Sequence, residues 1–170
     1  MSEAQACGGR AARRFLALAL VVALADQGLK LLIVSRMAAG ESRPLLGSVL
    51  SLTRQSNPGA AFGLFSGAGV VLTAVGAALV ALLLIWGLRS AGKDAEFLWP
   101  VALLLGGALG NLIDRLFRGR VVDYLDLHFW PVFNLADVAL TVGVFWFALR
   151  LLLSPEGRGQ ARLSPPGDSR

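Results

Sequence analysis

The chain has 170 residues, 55% of them hydrophobic and 16% charged, with 16 Lys+Arg against 11 Asp+Glu and a net charge of +5. A soluble domain carries about 25% charged and 45–50% apolar residues, so this composition points to a membrane protein and excludes a disordered chain or a nucleic-acid binder. One Cys (Cys7) and one His (His128) leave no internal disulfide, thiolate cage or His-based zinc site, so neither metal nor cofactor is expected.

In chain order, a cytoplasmic flank over 1–14 carries Arg10, Arg13 and Arg14 ahead of an apolar window at 15–34. Basic residues before an apolar run resemble a secretory signal, but no A-x-A pattern follows, and Asp26-Gln27-Gly28-Leu29-Lys30 comes directly after it. The window is therefore expected to be a retained first span. Cys7, in Ala-Gln-Ala-Cys with no apolar run before it, reads as a thiol without function. An outer β segment is expected over about 40–66. There Ser48-Val49-Leu50-Ser51-Leu52-Thr53 alternates like a strand, Asn57-Pro58-Gly59 signals a turn, and 60–65 returns to apolar. Apolar windows follow at 68–88, 97–116 and 132–153, and the Pro-, Gly- and Arg-rich residues 154–170 read as a disordered cytoplasmic tail.

A helix needs about 20 apolar residues to cross a bilayer, and in lipid each window must be helical to satisfy its own backbone. The expected fold is an all-α polytopic membrane protein: four transmembrane helices in one domain over 15–153, with a small extracytoplasmic sheet between the first two. Orientation follows from the basic flanks. One side holds Arg10, Arg13, Arg14, Arg89, Lys93, Arg150, Arg158, Arg162 and Arg170. The other holds Arg36, Arg43, Arg54, Arg118 and Arg120. Both termini are expected in the cytoplasm. Trp86, Trp99 and Trp130 fall near the expected interfaces, as an aromatic belt would.

This topology gathers the intramembrane polar residues at one depth. Asp26 and Lys30 lie in the outer half of the first span, Asn111, Asp114 and Arg115 end the third, and Asn134 and Asp137 begin the fourth. At about 1.5 Å per residue, Asp137 is expected roughly 7 Å below the start of its helix. A charge in hydrocarbon costs at least about 2.5–3.5 kcal/mol, so such residues face one another or a wet cavity. Spacings of i, i+3 and i, i+4 put each set on one helical face. Asp26 with Lys30 reads as a structural ion pair and Asp114 as structural or orienting. Asp126 and His128 read as solvated loop residues, and Asn57 as a turn residue. Asp137 has no basic neighbour within a turn, and Asp123 lies in a loop just beyond the third span. On residues alone, an acid–base dyad and two separately hydrogen-bonded structural acids are equally open. A non-enzymatic proton or ion path is a third reading, and the charge-free inner halves of the spans weigh against it.

Five segments carry a resemblance. They are Asp26-Gln27-x-x-Lys30, Asn57-x-Gly59-Ala60-Ala61-Phe62-Gly63, Gly106-Gly107-Ala108-x-Gly110-Asn111-x-x-Asp114-Arg115, Val121-Val122-Asp123-Tyr124 and Phe133-Asn134-x-Ala136-Asp137. In that order the chain resembles bacterial lipoprotein signal peptidase (signal peptidase II), an intramembrane aspartyl peptidase family, over roughly 15–153. The resemblance implies that Asp123 and Asp137 are the catalytic pair. It implies that Asn57, Gly59, Asn111, Arg115 and Asn134 shape the substrate site, with Asp26, Lys30 and Asp114 in support. It further implies a multi-pass protein of the bacterial inner membrane that cuts diacylglyceryl-modified prolipoproteins just before the lipidated Cys. That protein would act as a monomer among membrane lipids, with its site on the outer side. Two departures concern loop contacts: Val138 stands where many members have Ser, and the segment from Asp123 to Asp137 is short.

Overall fold

The structure, a computed structural model, describes residues 3–59, 69–91 and 95–153. The expected apolar return at 60–65 and the expected tail at 154–170 lie outside the described residues. In chain order come α1 (Glu3–Arg36), β1 (Ser42–Leu46), β2 (Leu50–Asn57), α2 (Gly69–Ser90), α3 (Ala95–Arg118), β3 (Val121–Asp126) and α4 (Leu135–Leu153). Among the described residues, these four helices are the ones long and apolar enough to cross a membrane. α1 and α3 contain the windows expected at 15–34 and 97–116, α2 covers 69–88 of the second window and α4 covers 135–153 of the fourth, and α1 continues back through the basic flank.

α3 is the central helix and packs on all three others. Its small residues allow this. A Cβ built on Gly106 would lie 2.7 Å from the Ala19 carbonyl oxygen of α1, and one on Gly107 would lie 2.5 Å from the Ala136 carbonyl oxygen of α4. Both are closer than real side chains approach backbone, so α1 and α4 flank α3 at a spacing that only glycine permits. Phe15, Ala19, Leu98, Val101, Ala102 and Leu105 form the buried core where α1 meets α3. Much of the remaining apolar surface, such as Leu24, Val70 and Phe145, is exposed, as expected of helices whose solvent is lipid.

The sheet has three antiparallel strands in the order β1-β2-β3, one more than the outer segment alone provides. The third is the segment expected to be a loop: β3 pairs with β2, placing Asp123 opposite Gln55 and Val121 opposite Asn57. Val121, Val122, Asp123 and Tyr124 are all buried, and that burial is what turns a short connection into a strand. Beyond β3 the chain doubles back. Phe133 exchanges backbone hydrogen bonds with Leu125 and accepts one from the Tyr124 N–H. The sheet is tied to the end of α1 by Arg54, which donates to the carbonyls of Val34 (3.2 Å) and Met37 (2.6 Å), and by Arg43, which donates to that of Arg36 (3.0 Å). Carbonyls at a helix C-terminus have no partner within the helix, and cationic donors suit them.

The fourth helix starts later than its apolar window. Leu135 is its first helical residue, so Asn134 precedes the helix and Asp137 lies in its first turn, roughly 3 Å in rather than 7 Å. Asn134 caps the helix: its side-chain oxygen accepts the Asp137 N–H at 3.0 Å, while the Asp137 carboxylate accepts the Asn134 N–H at 3.2 Å. This reciprocal pair is a capping box with Asp in the place usually held by Glu or Gln.

Candidate active site

Two acid-rich clusters lie side by side at the sheet end of the helices. In the first, Lys30 is fully buried and donates to Asp26 at 2.8 Å, to Asp114 at 2.9 Å and to the side-chain oxygen of Asn111 at 3.0 Å. All three ammonium protons are thereby placed. The other Asp26 oxygen accepts the Ala136 N–H at 3.0 Å, tying α1 to the start of α4. Asp114 accepts from Arg118 and from the Val122 N–H at 3.1 Å, tying α3 to β3. Gln27 donates to the Gly110 carbonyl at 2.9 Å and accepts from Arg118 at 3.0 Å. The expected Asp26–Lys30 pair is thus half of a larger ion cluster that includes Asp114. Along the chain Arg118 is only a flanking charge. Its i+4 spacing from Asp114 was the available signal.

The second cluster holds Asp123 and Asp137. Asp123 accepts from Asn134 at 2.7 Å on one oxygen and from Asn57 at 3.1 Å on the other. Asp137 accepts from Asn111 at 2.8 Å, besides its contact with the Asn134 N–H. Among the described residues, neither acid forms an ion pair. Asn134 thus holds one acid through its side chain and the other through its backbone. Asn111 joins the two clusters. Because Lys30 and Asn134 (3.1 Å) both donate to its oxygen, its NH₂ must face Asp137. Asn57 is more than a turn residue: its oxygen accepts the Gly59 N–H at 3.0 Å while its NH₂ holds Asp123.

Asp123 and Asp137 line one cleft of about 330 Å³. Asn57, Gly59, Asn111 and Arg115 also line it, as does the returning chain from Trp130 to Phe133, of which Trp130 was expected only as part of an aromatic belt and Phe133 only as part of a motif. The backbone pairing of Phe133 with Tyr124 and Leu125 brings that segment there. Burial pushes the Asp123 carboxyl up to about 6, and the nearby Asp137 carboxylate pushes the same way. The amide donors of Asn57 and Asn134, with the more distant Lys30 charge, pull it back. Asp123 is therefore poised to hold or lose a proton near pH 6.

Asp126 and His128 are not simply solvated. Asp126 accepts from Thr53 at 2.9 Å and from the His128 N–H at 2.8 Å, and the His128 ring meets the Ser51 hydroxyl at 3.2 Å. His128 sits at φ 67°, a left-handed backbone that the turn to Asp126 supports. These contacts fasten the chain just ahead of the cleft-lining segment to β2.

The description "Signal peptidase (SPase) II" belongs to the family model that matches residues 18–153. The chain belongs to the signal peptidase II family. It is 47% identical over 147 residues to a lipoprotein signal peptidase of Moorella thermoacetica, covering 86% of this chain and 97% of that protein. A lipoprotein signal peptidase of Halalkalibacterium halodurans is 44% identical over 138 residues, covering 79% and 88%. Two solved bacterial membrane enzymes share the fold. One has a TM-score of 0.76 at 30% identity, covering 91% of this chain and 94% of the other, and the second has a TM-score of 0.73 at 32% identity, covering 83% and 94%. Membership in signal peptidase II makes the chain a multi-pass membrane peptidase.

Proposed function

We propose that this signal peptidase II uses Asp123 and Asp137 as its catalytic pair to remove signal peptides from diacylglyceryl-modified prolipoproteins, cutting just before the lipidated Cys. The observation that carries the assignment is the shared cleft, in which both acids are held by amides and, among the described residues, neither forms an ion pair. Each carboxylate has a donor on both oxygens and still keeps lone pairs for a proton or a water.

One carboxylate of the pair takes a proton from a bound water, which attacks the scissile carbonyl carbon. The other, protonated, donates a hydrogen bond to the carbonyl oxygen and stabilises the developing negative charge. When the tetrahedral intermediate collapses, the leaving amine takes its proton from the dyad. The proton belongs to the pair, so no resting assignment to one acid is needed. Asn57, Gly59, Asn111, Arg115 and Asn134 shape the cleft around the scissile peptide, with Asp26, Lys30 and Asp114 holding the helices beneath. The excess of Lys and Arg on the flanks away from the sheet supports cytoplasmic termini and a site on the outer side of the inner membrane. In that setting water reaches the acids from above, and a lipid-anchored peptide arrives sideways from the bilayer. The enzyme acts as a monomer.

The test is to incubate the purified protein with a diacylglyceryl-modified precursor and with its unmodified twin. Cleavage of the lipidated form alone, before the modified Cys, is expected. Equal cleavage of both forms would remove the substrate assignment.

A further inference from the structure

A second cavity, of about 430 Å³, lies at the opposite end of the helices from the acids. One wall is a single face of α1: Cys7, Arg10, Ala11, Arg14, Phe15 and Leu18 recur at spacings of three and four. The other wall is Leu98 and Trp99 of α3. Arg10 and Arg14 are one helical turn apart and exposed, and no carboxylate among the described residues pairs with either guanidinium. Below them, Phe15 and Leu98 belong to the buried apolar core.

Depth identifies what such a cavity meets. Twenty residues of helix separate Lys30 from Arg10, about 30 Å along the axis and close to the thickness of the hydrocarbon layer. With the acids near one headgroup plane, Arg10 and Arg14 stand near the other. There a phosphate-bearing molecule that also has apolar chains is a membrane phospholipid. We propose that this cavity is a binding site for an anionic phospholipid. Its phosphodiester sits between Arg10 and Arg14, and an acyl chain runs down the Phe15, Leu18 and Leu98 wall. The Trp99 indole, amphipathic, suits the headgroup boundary. Arg presents a planar fork of donors matched to phosphate oxygens, and basic pockets between helices at this depth favour anionic headgroups.

The experiment uses the full chain in detergent with equal amounts of dioleoylphosphatidylglycerol and dioleoylphosphatidylcholine, with retained lipid counted by native mass spectrometry. Preferential retention of the glycerol lipid is expected, falling roughly tenfold in R10Q/R14Q. The double variant R13Q/R89Q loses the same charge from the same end at positions that do not line the cavity, and should retain lipid like the parent. Cys7, the protein's one cysteine, gives a second readout without any substitution. Phosphatidylglycerol should slow its alkylation by a charged maleimide severalfold, whereas phosphatidylcholine should not. Equal lipid loss in both double variants, or undiminished retention in R10Q/R14Q, would overturn the site. So would protection of Cys7 by inorganic phosphate as strong as that by the lipid, because the acyl wall would then contribute nothing.

Discussion

The ion cluster and the cleft are built from the same residue type and share Asn111, yet they differ in compensation. Asp26 and Asp114 are fully buried, and Lys30 and Arg118 stand against them. Asp123 and Asp137 border a cavity, and among the described residues amides alone hold their carboxylates. A buried charge with a full set of partners is held in one geometry, which suits a brace between helices. A carboxylate held by neutral donors beside another carboxylate keeps a movable proton, which suits chemistry. Compensation is what separates the brace from the reactive pair.

The sharpest way to break that comparison is to substitute each side. Asp123→Asn and Asp137→Asn are each expected to lower turnover of a lipidated precursor by at least about 10³-fold. Both should remain inserted and folded. Near-normal cleavage by either purified variant would remove the dyad. In the ion cluster the effect should fall on stability instead. Lys30→Met leaves buried Asp26 without a cation and Asp114 with Arg118 alone, and is expected to cost about 3–5 kcal/mol in unfolding measurements, with Asp26→Asn costing less because Asp114 still pairs with Lys30. Unchanged thermal stability with lost turnover in Asp26→Asn would move that residue into the reactive pair's machinery.

A smaller effect sharpens the comparison through pH. With Asp123 pushed up to about 6 from 3.8, the folded protein keeps a proton between those values that the unfolded chain has released. Stability should therefore fall as pH rises from about 3.8 to about 6 and gain no further dependence from this group above that. Activity needs one acid protonated, so kcat/KM should decline tenfold per pH unit above an apparent value near 6. Asp123→Asn should erase this part of the stability profile. A flat kcat/KM profile from pH 5 to 8 would show that the pair does not share a titrating proton.

Much of this was legible in the linear chain for identifiable reasons. The four spans follow from apolar length, and Asp26 with Lys30 from i, i+4 spacing. Asp137 stood out as an acid without a basic neighbour in its turn. The partners of Asp123 were not legible, because Asn57 lies 66 residues away and meets it only when β2 pairs with β3. Asp114 joined the cluster through Lys30, 84 positions distant, a contact that required Gly106 and Gly110 to let α1 and α3 touch.

The amino-acid sequence by itself determined that this protein lives in a membrane, how many times it can cross, and which acids lack a local counter-charge, because hydropathy and helical spacing are short-range properties. Tertiary structure alone decided which acids are neutralised and which share a cleft. Counter-charges and amide donors act over about 3 Å in space, and residues far apart along the chain supply them only once the helices and strands have packed.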